Sequence, residues 1–125
     1  MHYLETPEES VAMLLNLDKH FEDAWVSHNI KELKSLPNEM PVMTQAWKNG
    51  DLKTFETKYL KPMKKFKDVH KVMLVDRNKN WVKTIDKMAR TKPIEFFLVG
   101  SLHLVGPHSV QALLKKKGYK IERVK

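Results

Sequence analysis

One short apolar run constrains the fold of this chain more than any other feature. Residues 94–99, with the sequence IEFFLV, are rich in β-branched and aromatic side chains and lie between Pro93 and Gly100. A run of this length and composition, with a chain breaker at each end, is typical of a buried β-strand. The sequence therefore predicts a strand over residues 94–99 that ends at Gly100.

The residues after this run predict a helix and a second strand. Gly106-Pro107 indicates a helix start, because proline at the first helical position loses no hydrogen bond. The helix is expected to end at Gly118, since glycine favours the left-handed cap. Residues 121–124 have the composition of a short strand, and a helical crossover makes two such strands parallel. Residues 94–124 therefore predict a βαβ unit with a small parallel sheet.

Helical patterns predominate over residues 6–90. Thr6, Pro7 and Glu9 provide the N-cap, the first-position proline and the capping-box acid of a first helix. Further helices are expected over residues 19–36, which Pro37 would end, over 41–48, from the Asp51 cap through residue 60, and over 72–90. The apolar residues predicted to face inward from the first two helices are Val11, Leu14, Leu15, Phe21, Trp25, Ile30 and Leu33, with Leu17 as a further candidate.

The expected fold class is α+β, predominantly helical with the C-terminal βαβ unit. The length of 125 residues predicts a single domain over residues 1–125. Two strands alone are marginally stable, so the small sheet is expected to form part of a larger α/β fold.

Charge and composition limit the classes of partner. The chain carries 23 Lys+Arg against 15 Asp+Glu, and six lysines fall within residues 58–71. Such a run is typical of a solvent-exposed face. The run contains no arginine, and the sequence has no nucleic-acid-binding motif, so nucleic acid is disfavoured as a partner. No apolar stretch approaches the roughly 20 residues of a transmembrane helix. The chain has no cysteine, which excludes disulfides and thiolate metal sites.

Two polar side chains fall where the apolar pattern predicts burial. His103 follows the predicted strand and precedes a helix, where open α/β sheets place their ligand sites. Asn78 lies on the apolar stripe of the longest helix and needs hydrogen-bond partners there, with Arg77 beside it. Structural roles are the alternative: His103 could bond to the backbone, and Arg77 could pack its stem on Trp81 within a hydrogen-bonded network.

Four segments in order, YLETPEES, WKNGDL, DRNKNW and FFLVGSLHLVGPHSVQALLKKKGYKIERV, resemble the C-terminal portion of the TraB/GumN-like family, to which the Tiki proteases are related. Residues 100–103, GSLH, are similar to the second of the family's two glycine-x-x-histidine motifs. Arg77-Asn78 is similar to its arginine-asparagine pair, and residues 4–6 to its leucine-glutamate-threonine. The first glycine-x-x-histidine motif has no counterpart in this chain, and His108-Ser109 and Ser10 depart from the family's pattern.

The resemblance implies a metal-dependent, peptidase-like hydrolase. It implies His103 and Glu5 as ligands of a divalent ion such as Zn, Co or Mn, and Arg77 and Asn78 as catalytic groups that hold a substrate carbonyl or orient the ligands. Glu5 could instead be an ordinary acid favoured by the helix dipole. With one motif absent, the chain is expected to bind metal weakly or not at all and to be inactive alone.

The resemblance also implies partners. An N-terminal half, or another chain such as a second copy in a homo-oligomer, would complete the site. An exported or periplasmic location is consistent with the family, although the sequence leaves the compartment open. The alternative function is a non-catalytic basic module that binds a protein partner or a polyanion through its lysine-rich surface.

Overall fold

Helices account for nearly all regular structure in the computed structural model, which describes residues 3–17, 23–91 and 93–124. Several of the helices run into one another with a change of winding between α and π. The elements are α1 Pro7–Leu17, α2 Asp23–Leu33, α3 Leu36–Lys48, α4 Leu52–Thr54, π1 Phe55–Leu60, α5 Lys61–Met63, α6 Lys67–His70, π2 Lys71–Asp76, α7 Arg77–Ala89, a 3₁₀ turn Ser101–Leu104 and α8 Val110–Lys116.

Local sequence signals explain several helix ends. The Thr6 N–H donates to Glu9 Oε2 at 2.7 Å, and the Glu9 N–H donates to Thr6 Oγ1 at 3.1 Å, so the predicted capping box is confirmed. The Asp51 carboxylate accepts from the Thr54 N–H at 3.1 Å, as predicted for the cap of α4. Gly118 follows α8 with φ +94°, the left-handed conformation expected of it.

Several predicted helix boundaries are wrong. α3 begins at Leu36 rather than at residue 41, the helix predicted to end at residue 60 continues through α5 to Met63, and the helix predicted over 72–90 begins at Lys67 and ends at Ala89. α2 ends at Leu33, and Pro37 lies in the first turn of α3, where its missing N–H costs nothing. α8 begins at Val110 rather than at Pro107, because the Ser109 hydroxyl caps the helix by accepting from the Ala112 N–H at 3.3 Å. The first part of the second predicted helix, residues 19–22, lies outside the described residues.

The predicted parallel sheet is also wrong, and with it the α+β fold class. The parts of the chain that the structure describes contain no β-strand, so their fold is all-α. Residues 94–99 and 121–124 each lack the neighbouring strand that would supply backbone hydrogen bonds, and short strands without such a ladder are not stable. The composition of residues 94–99 suits a strand, but composition alone cannot provide the pairing.

Residues 94–99 nevertheless have two different faces. Phe97 and Val99 are half-buried against the cluster formed by α7 and α8. Ile94, Phe96 and Leu98 alternate with them and are 102%, 87% and 84% exposed. This period of two is the periodicity of an extended chain, so the segment lies along the helices with one apolar face in solvent.

Two apolar clusters form the core, and the helical run from α6 to α7 contributes to both. Residues Leu74, Val82 and Ile85 are buried as the stripe predicted, whereas Ala89 is exposed. The first cluster comprises Ala46, Phe55, Leu60, Leu74 and Val105. The second comprises Trp81, Val82, Ile85 and Val110.

The apolar faces predicted for the first two helices do not point into this core. Val11, Leu14 and Leu15 of α1 are 54–67% exposed, and Ile30 and Leu33 of α2 are 57% and 60% exposed. Leu17 is the buried residue of α1. These faces follow the helical periodicity, but most of their residues lie in solvent. On α2, Trp25 is half-buried and packs on Phe66 with a centroid distance of 5.0 Å. No helix in the described part of the chain combines the length and apolar character needed to cross a membrane.

Candidate functional site

His103 lies in the 3₁₀ turn between the extended segment and α8, and its ring is held by Asn78. The residue is only 7% exposed, and its Nδ1 lies 2.6 Å from Asn78 Oδ1. Asn78 Nδ2 donates to the backbone carbonyl of His108 at 2.8 Å, which places the amide oxygen toward the imidazole. Because an amide oxygen only accepts, Nδ1 of His103 carries the proton, and Nε2 is unprotonated and can accept a hydrogen bond.

Arg77 lies on the other side of the imidazole. Its Nη1 is 3.4 Å from His103 Nε2, and a guanidinium can only donate, which agrees with an unprotonated Nε2. Burial, followed by the Arg77 charge, lowers the pKa of His103 to about 4, although Glu5 acts in the opposite direction. The imidazole is therefore neutral at pH 7, and the Trp81 ring packs on it with a centroid distance of 4.4 Å.

Glu5 forms an ion pair with Arg77, although 72 positions separate the two residues in the sequence. Its Oε2 accepts from Arg77 Nε at 3.0 Å and from Trp81 Nε1 at 3.1 Å, and its Oε1 accepts from Arg77 Nη2 at 2.5 Å and from Ser10 Oγ at 2.8 Å. Burial raises the pKa of Glu5, but the bonds from Arg77, Ser10 and Trp81 outweigh it and hold the pKa below its usual range. The carboxylate is therefore ionised and fully hydrogen-bonded.

The change from π-helical to α-helical winding determines the position of the Arg77 side chain. The π-helical segment π2 ends at Asp76, so Arg77 is the first residue of α7, and its Nη1 also donates to the Met73 carbonyl at 3.3 Å. Short π-helical insertions occur often at functional sites, where they change the direction of side chains. The guanidinium carbon lies 4.7 Å from the centre of the Trp81 ring, so the charged group of Arg77 packs on Trp81, where the sequence predicted packing of the arginine stem.

The predicted convergence of Glu5, Arg77, Asn78 and His103 is confirmed by these distances, whereas the role of each remains a proposal. Asn78 is 2% exposed, in agreement with its position on the apolar stripe. Sequence reasoning did not identify Trp81 as a donor to Glu5, although its spacing of four residues from Arg77 put both on one helix face. The contact of Ser10 with Glu5 was missed as well.

One of these residues, His103, has a nitrogen suited to a metal ion, and Arg77 Nη1 already lies 3.4 Å from that nitrogen. Nε2 of His103 has the lone pair and the supporting hydrogen bond at Nδ1 that are typical of metal-binding histidines. The Glu5 carboxylate has about four acceptor positions, and four donors already fill them. Within residues 3–17, 23–91 and 93–124 there is no group of three or more His, Cys, Asp or Glu side chains that could hold a metal.

An apolar groove of about 450 Å³ opens beside His103 and Arg77, which form part of its lining. Met43 and Trp47 of α3, Phe55 of π1, Met63 of α5 and Met73 of π2 supply the apolar wall. The segment from Gly100 to His103 completes it. His103 thus lies next to a cavity of the size that accepts small ligands.

The chain is similar to one described family of proteins. No curated protein sequence and no solved structure matches it. The model of the TraB/PrgY/gumN family matches residues 1–123, which is nearly the whole sequence. The family resemblance of the four sequence segments is thereby confirmed, and the chain belongs to the TraB/PrgY/gumN family.

Proposed function

We propose that the protein is a peptidase-like, metal-dependent hydrolase and that His103, Arg77 and Asn78 form its share of the active site. The observation that carries this proposal is the state of His103: a buried, neutral imidazole that lines an open groove, with Nδ1 bonded to Asn78 and an unprotonated Nε2 that lies 3.4 Å from Arg77 Nη1.

Each residue has a distinct role in the proposal. His103 Nε2 is one ligand of a divalent ion, and Asn78 fixes the tautomer and the direction of the ring. Arg77, which Glu5 and Trp81 hold in place, donates to the carbonyl oxygen of the substrate. Such an ion, when bound, activates water or polarises a carbonyl. Glu5 positions Arg77, and its predicted role as a metal ligand would require it to give up hydrogen bonds.

The remaining ligands are proposed to come from outside the described residues or from another chain, including a second copy. One histidine does not complete a metal site, which commonly takes at least three protein ligands. The exposed apolar face of α1, with Val11, Leu14 and Leu15, supports such a neighbour because exposed apolar faces are often covered in an assembly.

Hydrolysis of a fluorogenic peptide mixture by the full-length protein tests the proposal. We expect activity that a chelator removes and that Zn, Co or Mn restores, and a loss of at least about 100-fold in His103→Ala. His28→Ala is the matched control, since His28 packs on Phe66 away from the site, and it should stay within about twofold. Activity that neither the chelator nor His103→Ala affects would contradict the proposal.

Metal binding gives a second readout that does not depend on activity. The 125-residue chain alone should show weak binding of Zn, Co and Mn in calorimetric titration, because it supplies one candidate ligand, His103. A tight one-to-one complex that His103→Ala abolishes would instead place the whole metal site within this chain.

The basic surface supports a second candidate, a module that binds a polyanion or an acidic partner. Lys58 and Lys71 are paired with Glu39 and Asp76 at 2.9 and 2.5 Å. Lys61, Lys65 and Lys67 have no acidic partner among the described residues and are exposed. Retention on heparin at 150 mM salt that is lost when these three lysines become glutamine would favour this function. Elution below that salt concentration would count against it.

A further inference from the structure

We infer that the groove beside His103 is a specificity pocket that takes a large apolar side chain of a peptide, next to the bond that is cut. The inference rests on the proposed function and adds its substrate class. It depends on the continuity of the groove with His103 and Arg77, on the chemistry of the groove wall, and on its size.

The wall of the groove is almost entirely apolar. Met43, Met63 and Met73 line it together with Phe55, which is buried in the core, and Trp47, which is 65% exposed. Methionine is flexible and polarisable, so a wall with three methionines adapts to apolar side chains of different shapes. A charged side chain would lose its hydration there without gaining a partner.

The polar groups of the groove are confined to a few places. Arg77 Nη1 lies 3.4 Å from His103 Nε2, and Ser101 and Thr44 also line the groove. A pocket with apolar walls and a few polar groups is typical of a site that orients one functional group of its ligand. A peptide whose apolar side chain fills the groove would thus bring its carbonyl group toward Arg77 and His103.

Charge gives the pocket its selectivity. A lysine or arginine side chain would find no acidic partner among the residues that line the groove. An acidic side chain gains little there, because Glu5 already pairs with Arg77. The volume of about 450 Å³ accommodates a leucine, methionine or phenylalanine side chain with part of the adjoining backbone. We therefore expect selection of large apolar side chains over charged ones.

Methionine methyl NMR tests the pocket without requiring catalysis. The probes are acetyl-Ala-Leu-Ala-amide and acetyl-Ala-Lys-Ala-amide, added to protein labelled with ¹³C at the methionine methyl groups. The leucine peptide should shift the signals of Met43, Met63 and Met73 and leave Met13 and Met88, which do not line the groove, unchanged. The lysine peptide should have at least about tenfold lower affinity. Equal affinity for both peptides, or shifts spread over all methionines, would overturn the inference.

Matched variants assign the binding to the groove. Trp47→Ala should weaken the leucine peptide about fivefold or more, whereas Leu15→Ala, at a residue of α1 that is similarly exposed at 67%, should leave it unchanged. Neither change removes a buried side chain, so both variants should fold. Unchanged binding in Trp47→Ala would count against the pocket.

Binding and hydrolysis separate the two proposals. Selective binding without hydrolysis in the full-length protein would leave the pocket standing and contradict the proposed hydrolase. Hydrolysis of peptides without preference for an apolar side chain would support the hydrolase and contradict the pocket.

Discussion

At the scale of single residues, a few long-range hydrogen bonds determine the state of His103. Asn78 accepts from its Nδ1, and Arg77 approaches its Nε2, so the ring has one tautomer and one orientation. The sequence predicted that Asn78 and His103 would need partners, because each is a polar residue in an apolar pattern. It could not predict that Glu5 holds Arg77, because that contact spans 72 residues and no local pattern encodes it.

The lowered pKa of His103 makes the stability of the fold depend on pH. The folded pKa is about 4 and the ordinary value is 6.5, so between these values the unfolded chain binds a proton that the folded chain does not. Stability should therefore fall as the pH falls from about 6.5 to 4. We expect a loss of about 1 kcal/mol between pH 7 and pH 5, after a discount for solvent screening. Urea denaturation with a chelator present measures it.

His103→Gln is the comparison for this pH dependence, because glutamine does not titrate. The pKa of His70 is also lowered, by burial and by the nearby charges of Lys64 and His108, so part of the slope will remain in the variant. Between pH 7 and pH 5 the variant should nevertheless lose less stability than the wild type. The same loss in both proteins would show that His103 is not responsible.

The pair of Glu5 and Arg77 should contribute to stability as well as to position. Both side chains are mostly buried, with 19% and 23% exposed, so Glu5→Gln leaves an arginine with weaker partners and should cost about 1–3 kcal/mol in the free energy of unfolding. Lys120 and Glu122 form the matched exposed pair, at 2.6 Å with 86% and 70% exposed. Glu122→Gln should change the free energy by less than about 0.5 kcal/mol. Equal effects in chemical denaturation would contradict this difference.

At the scale of elements, helix caps could be predicted from the sequence because their interactions are local. The capping box of α1, the Asp51 cap of α4 and the left-handed glycine after α8 each involve residues close in the chain. The strand over residues 94–99 was predicted wrongly because a strand requires a partner, and local composition cannot show whether one is present. The start of α8 was wrong because Ser109 is a better cap than the preceding glycine and proline.

Substitution by alanine should lower the free energy of unfolding by different amounts at three glycines. Gly106 has φ +80°, and an added Cβ would lie 2.7 Å from Leu60 Cδ2, so Gly106→Ala should cost about 2 kcal/mol or more. Gly118 has φ +94° but open space around it, so its variant should cost about 1 kcal/mol. Gly100 has φ −62°, and its Cβ would make an ordinary contact of 3.6 Å with His103.

Gly100→Ala is therefore expected to change stability by less than about 0.5 kcal/mol. Thermal and urea denaturation of the three variants should give the order Gly106, Gly118, Gly100 from most to least destabilised. If Gly100→Ala were the most destabilised, backbone freedom at the start of the glycine-x-x-histidine motif would be a structural requirement after all.

At the scale of the whole molecule, the distribution of apolar surface is unusual for a chain of this size. α1, α2 and residues 94–99 each present an apolar face to solvent, whereas the core is confined to two clusters. The sequence predicted correctly that these faces are apolar, but the prediction that they are buried in the core was wrong. Periodicity identifies an apolar face, but it does not identify what covers that face.

Adjacent phenylalanines test the two faces of residues 94–99. Phe97 packs on the cluster of α7 and α8, so Phe97→Ser should lower the free energy of unfolding by about 2–3 kcal/mol. Phe96 is 87% exposed, so Phe96→Ser should change it by less than about 0.5 kcal/mol and should reduce self-association in analytical ultracentrifugation. A larger loss of stability for Phe96→Ser than for Phe97→Ser would reverse the assignment of the faces.

The hydrogen bonds of Glu5 determine which spectroscopic signal reports whether a preparation of this protein is correctly folded. One carboxylate near the start of α1 holds an arginine and a tryptophan that lie more than seventy residues further along the chain. If α1 detached from the other helices, those helices would remain folded. The circular dichroism spectrum would then be close to that of the native protein. Arg77 would then have lost its main anchor beside His103. Helix content is therefore a poor measure of quality for this protein, and the fluorescence of Trp81, which changes when Glu5 leaves it, is a better one.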